Sequence, residues 1–216
     1  MLGFVEEILL LQLDETQGKF VNLPMSAADV VLAGAALMEL ALANRVDSDL
    51  EQLILVDPTP TGDDILDDVL QQLADTSREV SAGAVLERLS VNGEKYQEMA
   101  LKRLIAKGVL REENGRFLWV FRTRRYPVVD DSEQREVGTR LRQLLLTDEI
   151  PDPRDVVLIC LIDACGLLGL VLSPDEIAQT KTRVEQLSRL DLIGQAVTKA
   201  MANIRFIVTH ASSAIY

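Results

Sequence analysis

Residues 26–43 read SAADVVLAGAALMELALA, and a helix built from them is apolar on almost every face. A helix exposed on one side carries a polar stripe, whereas one that is apolar all round belongs at the centre of a bundle. Residues 156–170, VVLICLIDACGLLGL, are of the same kind. They are also the nearest approach to a membrane span. Val156–Leu172 is 17 residues long with Asp163 near its middle. A span needs about 20 apolar residues, and a central Asp costs roughly 2.5–3.5 kcal/mol on insertion scales. Two central bundle helices are therefore expected.

The totals agree with this. With 48% hydrophobic and 26% charged residues among 216, the chain is globular and long enough for a sizeable core. Aromatic residues make up only 4%, so Leu, Ile, Val and Ala must fill that core, which favours helix packing over a β-sandwich. The expected fold class is mainly α: one domain spanning residues 1–216, a helical bundle of central apolar helices surrounded by amphipathic ones, with small β-hairpins.

Helix starts are marked by residues whose oxygens satisfy free backbone N–H groups. Ser26 with Asp29, Thr61 with Asp64, Ser81, Asn92, Ser132, Asp152 before Pro153, and Ser173 before Pro174 each open a predicted helix. The Asn92 helix ends at Gly108, the Asp152 helix runs to about Leu170, and a last helix covers Leu192–Val208. Gln52–Val56 reads as extended. Val109–Glu112 and Arg116–Phe121 flank Asn114–Gly115, a strong hairpin-turn signal. Neither repeats nor a linker of inter-domain length is evident.

Catalytic patterns are poorly represented. His210 is the only histidine, and no phosphate loop, nucleophile elbow or metal-ligand spacing occurs. Cys160 and Cys165 read as buried thiols. Asp57, Asp63, Asp64, Asp67 and Asp68 cluster at a helix start, where the helix dipole favours negative charge over any need for a metal. Glu39 and Asp163 lie in apolar helices and require partners there. No enzyme activity and no cofactor are expected. Met1–Leu13 lacks a basic leader and is interrupted by Glu6 and Glu7, so it does not read as a signal peptide.

The net charge is −12, but it is unevenly distributed. Lys95 to Arg125 holds nine basic residues (Lys95, Lys102, Arg103, Lys107, Arg111, Arg116, Arg122, Arg124 and Arg125) against three acids, Glu98, Glu112 and Glu113. Such segregation suits one face presented to an anionic partner. Arginine forks match phosphate oxygens. Candidate phosphate-binding residues are Arg122, Arg124, Arg125, Lys102 and Arg116. A second candidate segment, Leu144–Pro151, joins two predicted helices. Its Leu144, Leu145, Leu146 and Ile150 suit contact with an acyl boundary.

FVEEILLLQL (residues 4–13), LMELALANRV (37–46), TGDDILDDVL (61–70), LKRLIAKGVL (101–110) and PDPRDVVLICLIDACGLL (151–168) occur together in this order. As a set they resemble the Golgi phosphoprotein 3 (vacuolar sorting protein) family, and the resemblance covers nearly the whole chain. It implies a helical, lipid-binding peripheral membrane protein, with the Leu144–Pro151 segment forming a hydrophobic β-hairpin used in self-association and membrane contact. The chain looks like a short, bacterial-type member, without a long N-terminal tail. It departs from the family in one respect. The phosphatidylinositol 4-phosphate pocket of well-known members uses one tryptophan and three arginines. Alignment on the quoted motifs puts Pro24 at the tryptophan and Ala33, Glu94 and Gln97 at the arginines. That strict headgroup specificity is therefore not expected here.

Two other functions compete. Ser81–Tyr126 has the order of a winged helix, in which a wing with arginines holds DNA phosphates. Glu94 and Glu98 near the recognition end and the net charge of −12 oppose it. The acidic remainder of the chain would also suit basic tails of membrane proteins, as the resemblance implies. The expected partner is an anionic phospholipid surface, with the protein cytoplasmic or peripheral on the cytoplasmic membrane face.

Overall fold

The structure, a computed structural model, describes residues 2–14, 18–21, 25–48, 52–75, 81–117, 121–164 and 166–187. The predicted helix Leu192–Val208, together with Pro24, Cys165 and His210, lies outside the described residues. Eight α-helices occur among them: α1 Phe4–Leu11, α2 Met25–Leu42, α3 Asp64–Ala74, α4 Ala82–Ser90, α5 Gly93–Ala106, α6 Ser132–Leu146, α7 Pro153–Ala164 and α8 Pro174–Leu187. Two short antiparallel ribbons accompany them, β1 Val46–Ser48 with β2 Leu53–Leu55, and β3 Glu113–Phe117 with β4 Phe121–Arg125. The fold is mainly α with small hairpins.

The all-apolar stretch does what its composition dictates. α2 lies against α1, α3, α4, α5 and α7, and Val31, Ala33, Ala35, Ala36 and Leu40 are wholly buried. α7 is the second buried rod, with Val157–Ile159, Leu161 and Ile162 excluded from solvent. The outer helices are amphipathic. α3 buries Ile65, Leu66, Val69, Leu70 and Leu73, while Asp64, Asp67 and Asp68 stay on its other side. Buried side chains from α1 to α8 form one apolar cluster.

α1 was not evident as a helix in the sequence, yet all eight of its residues are buried, Glu6 and Glu7 included. Caps follow expectation in part. Ser81 Oγ accepts from Ala84 N–H, Asp152 Oδ1 from Asp155 N–H, and Ser173 and Glu176 bond reciprocally. Thr61, however, does not cap α3. Asp63 does, accepting from Ile65 and Leu66 at 2.9 and 3.0 Å. Thr61 instead points its N–H and hydroxyl at Asp67 Oδ1. Asn92 donates to Gln72 rather than capping α5. α7 stops at Ala164 instead of running to Leu170, because Gly166 takes φ +71° and the N–H groups of Gly166 and Leu167 close back onto Asp163 and Ile162. A 3-10 turn, Leu168–Leu170, follows.

The β3–β4 register corrects the expected turn. Asn114 and Gly115 lie within β3, paired with Arg124 and Thr123, and the link between the strands falls at residues 118–120, outside the described set. The base of the ribbon decides this. Leu110 bridges Val128, and Val109 O accepts from Val129 N–H. Val109 and Leu110 are buried, so their burial fixes the register against the local turn preference of Asn-Gly.

Candidate functional site

In an antiparallel pair, directly opposed residues share a face and successive residues alternate. The register pairs Arg116 with Arg122 and Asn114 with Arg124. Positions 114, 116, 122 and 124 therefore lie on one face of the ribbon. Arg125 lies on the other, opposite Glu113, and is exposed. The side chains of Arg116, Arg122 and Arg124 are outside the described set, so it is the backbone that brings these three positions together. Like charges directly across a ladder disfavour pairing unless water or an anion separates them.

The ribbon is anchored at its base. Tyr126 N–H donates to Gly18 O at 2.8 Å, and the Tyr126 ring tilts against Phe20 at 6.0 Å. Gly18 has φ +60°, and a Cβ there would fall 2.7 Å from Pro127 N, so both conformation and space require glycine.

The rest of the basic segment is not one patch. Lys107 is bound to Glu6 at 2.7 and 2.8 Å. Arg103 forks onto Asp63 at 2.6 and 2.7 Å and also reaches Asp64. Burial alone would raise the Asp63 pKa, but the Arg103 bonds and the Leu66 and Ile65 N–H groups outweigh it and hold the carboxyl below its ordinary range. Lys95 pairs with Asp68, and Arg111 with Glu113. Lys102 is exposed on α5 with no carboxylate in ion-pair range among the described residues. The acidic cluster is thus divided among caps and ion pairs. Among the described residues no group of three or more His, Cys, Asp or Glu has the geometry to hold a metal.

The Leu144–Pro151 segment forms no strand. α6 continues through Leu146, and residues 147–152 are irregular. Leu144 and Leu145 are buried in the core, whereas Leu146 is 38% and Ile150 89% exposed. Only the latter two are available to a surface in this conformation. Arg183 holds the segment from α8 by donating to Leu144 O at 3.2 Å and to Glu149 O.

Sequence reasoning missed a buried charge network between α1, α2, α6 and α7. Glu7, 3% exposed, lies 3.6 Å from both Arg140 and Arg154. Arg140 also binds Asp155 at 2.8 Å and Glu136 at 2.5 and 2.6 Å. Arg154 covers the Phe4 ring at 4.0 Å, donates to Leu2 O at 2.7 Å and reaches Glu39 at 3.4 Å. Glu39 and Glu6 accept the first free N–H groups of α1, from Phe4 and Gly3, both at 2.8 Å. Burial pushes the Glu7 carboxyl up from 4.5 to about 7, against the pull of Arg154 and Arg140. Burial likewise raises Asp155. The sequence signals were the pair of acids inside an otherwise apolar run, FVEEILLL, and Glu39 inside an apolar helix.

The positions aligned with the family's phosphoinositide pocket carry no cation. Ala33 is buried inside α2, Glu94 is exposed and Gln97 half-buried on α5. Asp29 stands nearby, its pKa raised by burial and by the charge of Glu94. A Cβ on Gly93 would fall 2.3 Å from Asp29 Oδ1, so only glycine lets the two helices meet this closely.

The winged-helix order α4, α5, β3, β4 is present, but α5 is packed against α1, α2 and α3. Its exposed positions, Glu94, Lys95, Glu98 and Lys102, mix both signs. None of the described helices is long and apolar enough to cross a membrane.

An apolar rod sheathed by amphipathic helices, with a cationic ribbon on the segment after α5, defines a helical-bundle protein. The Golgi phosphoprotein 3 family model matches residues 4–204, nearly the whole chain, and the chain belongs to that family.

Proposed function

We propose that this chain is a non-enzymatic peripheral membrane protein that binds anionic phospholipid headgroups through the β3–β4 ribbon. The observation that carries the reading is the register, in which Arg116 opposes Arg122 and position 124 shares their face. Three arginine positions on one face set like charges beside one another, and a phosphate layer relieves such repulsion. The acidic remainder of the chain, net −12 overall, orients the ribbon toward a negative surface and keeps the rest away. Leu146 and Ile150 supply apolar contact where they meet the acyl boundary. Headgroup choice differs from that of the phosphatidylinositol 4-phosphate-binding members, because a corner holding Asp29 and Glu94 repels a phosphate.

Vesicle flotation tests this. Phosphatidylglycerol vesicles at low salt should float the protein, and pure phosphatidylcholine vesicles should not. Each cation near such a surface contributes about 1 kcal/mol, so neutralising three weakens binding on the order of 100-fold, and Arg122→Glu/Arg124→Glu/Arg125→Glu by more. Added salt should act in the same direction. Equal binding to neutral and anionic vesicles, or an undiminished triple variant, would refute the reading. A shift of random duplex DNA at low salt would favour the winged-helix alternative.

A further inference from the structure

A cleft of about 220 Å³ lies between α6 and the turn that follows α7. Its α6 side is formed by Gln134, Arg135, Gly138, Thr139 and Arg142. Positions 135, 138, 139 and 142 follow i, i+3, i+4, i+7 spacing and so share one helix face. Leu170 and Val171 close the opposite wall.

Gln134 is 7% exposed and is the most constrained polar group there. Its amide nitrogen donates to Leu10 O and Leu13 O, both at 2.8 Å. Because both partners are acceptors, the orientation of the amide is fixed. Its oxygen is buried and has no donor among the described groups. An acceptor left so is destabilising. The floor beside it is open because residue 138 is glycine. A Cβ there would meet only Leu11 Cδ2, at 4.0 Å. Glycine inside a helix is itself less favourable than alanine.

Arg135 and Arg142 lie two helical turns apart, about 10.5 Å along the axis, and a phosphate between them draws both side chains inward from their present partners. Each already has a carboxylate, Asp131 and Glu176 respectively. The Arg135–Asp131 pair is exposed and the Arg142–Glu176 pair partly so; such pairs are weak, so a phosphate competes with them. Among the described residues each pair engages one terminal nitrogen, and the guanidinium carries further donors for it.

We propose that this cleft binds a small polyol phosphate, with the phosphate between Arg135 and Arg142 and a hydroxyl at Thr139. The chemistry is shared by free glycerol 3-phosphate and by the headgroup of phosphatidylglycerol. The site is independent of the β3–β4 ribbon.

Amide-resonance titration of the full chain with glycerol 3-phosphate tests it, with glycerol and inorganic phosphate as partial ligands. A saturable shift confined to residues around 134–142 is expected, with each partial ligand roughly 10- to 100-fold weaker. Gly138→Leu fills the cleft and should abolish the shift. Arg142→Gln, which alters only an exposed pair, should weaken it about ten-fold or more, and it decides the matter if Gly138→Leu does not fold. Arg122→Glu/Arg124→Glu/Arg125→Glu should leave the shift intact, which separates failure here from failure of the ribbon reading. Flotation on phosphatidylglycerol and phosphatidylserine vesicles of equal charge distinguishes the sources. A loss specific to phosphatidylglycerol in Gly138→Leu assigns the headgroup, and unchanged flotation with an abolished titration assigns the free compound. Absence of saturation, an equal response to inorganic phosphate alone, or a response that survives both cleft substitutions would overturn the proposal.

Discussion

Replacing Glu7 with Gln should stabilise the protein above pH 7, although it removes a carboxylate that two arginines face. Glu7 is surrounded by Glu6 on its own helix, Glu39 from α2, Arg140 and Glu136 from α6, and Arg154 and Asp155 from α7. Burial outweighs the arginines, and the carboxyl titrates near 7 instead of 4.5. Between those values the folded chain holds a proton that the unfolded chain has released. Unfolding stability therefore falls as pH rises through this window and is level above it. At about 1.4 kcal/mol per pH unit, the charged state costs roughly 3 kcal/mol. Glutamine mimics the protonated form. Urea unfolding followed by circular dichroism at pH 5, 6, 7 and 8 should give near-equal stabilities for both proteins at pH 5, with Glu7→Gln ahead by up to about 3 kcal/mol at pH 8. If the arginines instead depend on this carboxylate, the variant loses on the order of 3–5 kcal/mol at pH 8. That outcome would refute the reasoning.

Asp63→Ala removes both the α3 cap and the Arg103 fork. With Asp64 still beside Arg103, a loss of about 2 kcal/mol is expected in chemical denaturation. Leu40→Ala, at a wholly buried position of the central helix, should cost roughly 2–5 kcal/mol in the same measurement. Ile150→Asp should change stability by no more than about 0.5 kcal/mol, since the side chain is almost fully exposed, yet it should reduce flotation on anionic vesicles. Normal flotation by this variant would remove Ile150 from the membrane contact.

The central helices were legible because residues 26–43 and 156–164 leave no face for water, and that constraint does not depend on what surrounds them. Gly108 and Ser81 were legible for a related reason, since each answers a backbone need within its own turn. Thr61 and Asn114–Gly115 misled. At Thr61, Asp63 offered a second cap two residues on, secured by Arg103 from a helix forty residues away. At Asn114, burial of Val109 and Leu110 set a register that no local window contains. The Glu7 network was illegible for the same physical cause. Its arginines lie more than a hundred residues away, and nothing in FVEEILLL names them. The basic count from Lys95 to Arg125 was correct as a sum but not as a surface, because Lys107, Arg103, Lys95 and Arg111 each face a carboxylate.

The position of α2 has a consequence for biosynthesis. Its partner α7 begins about 110 residues after it ends. At a ribosomal rate of ~5–20 residues per second, the greasiest segment of the nascent chain waits roughly 6–20 s for that cover. Slowing translation between the two segments lengthens the time during which the emerging polypeptide is prone to clump.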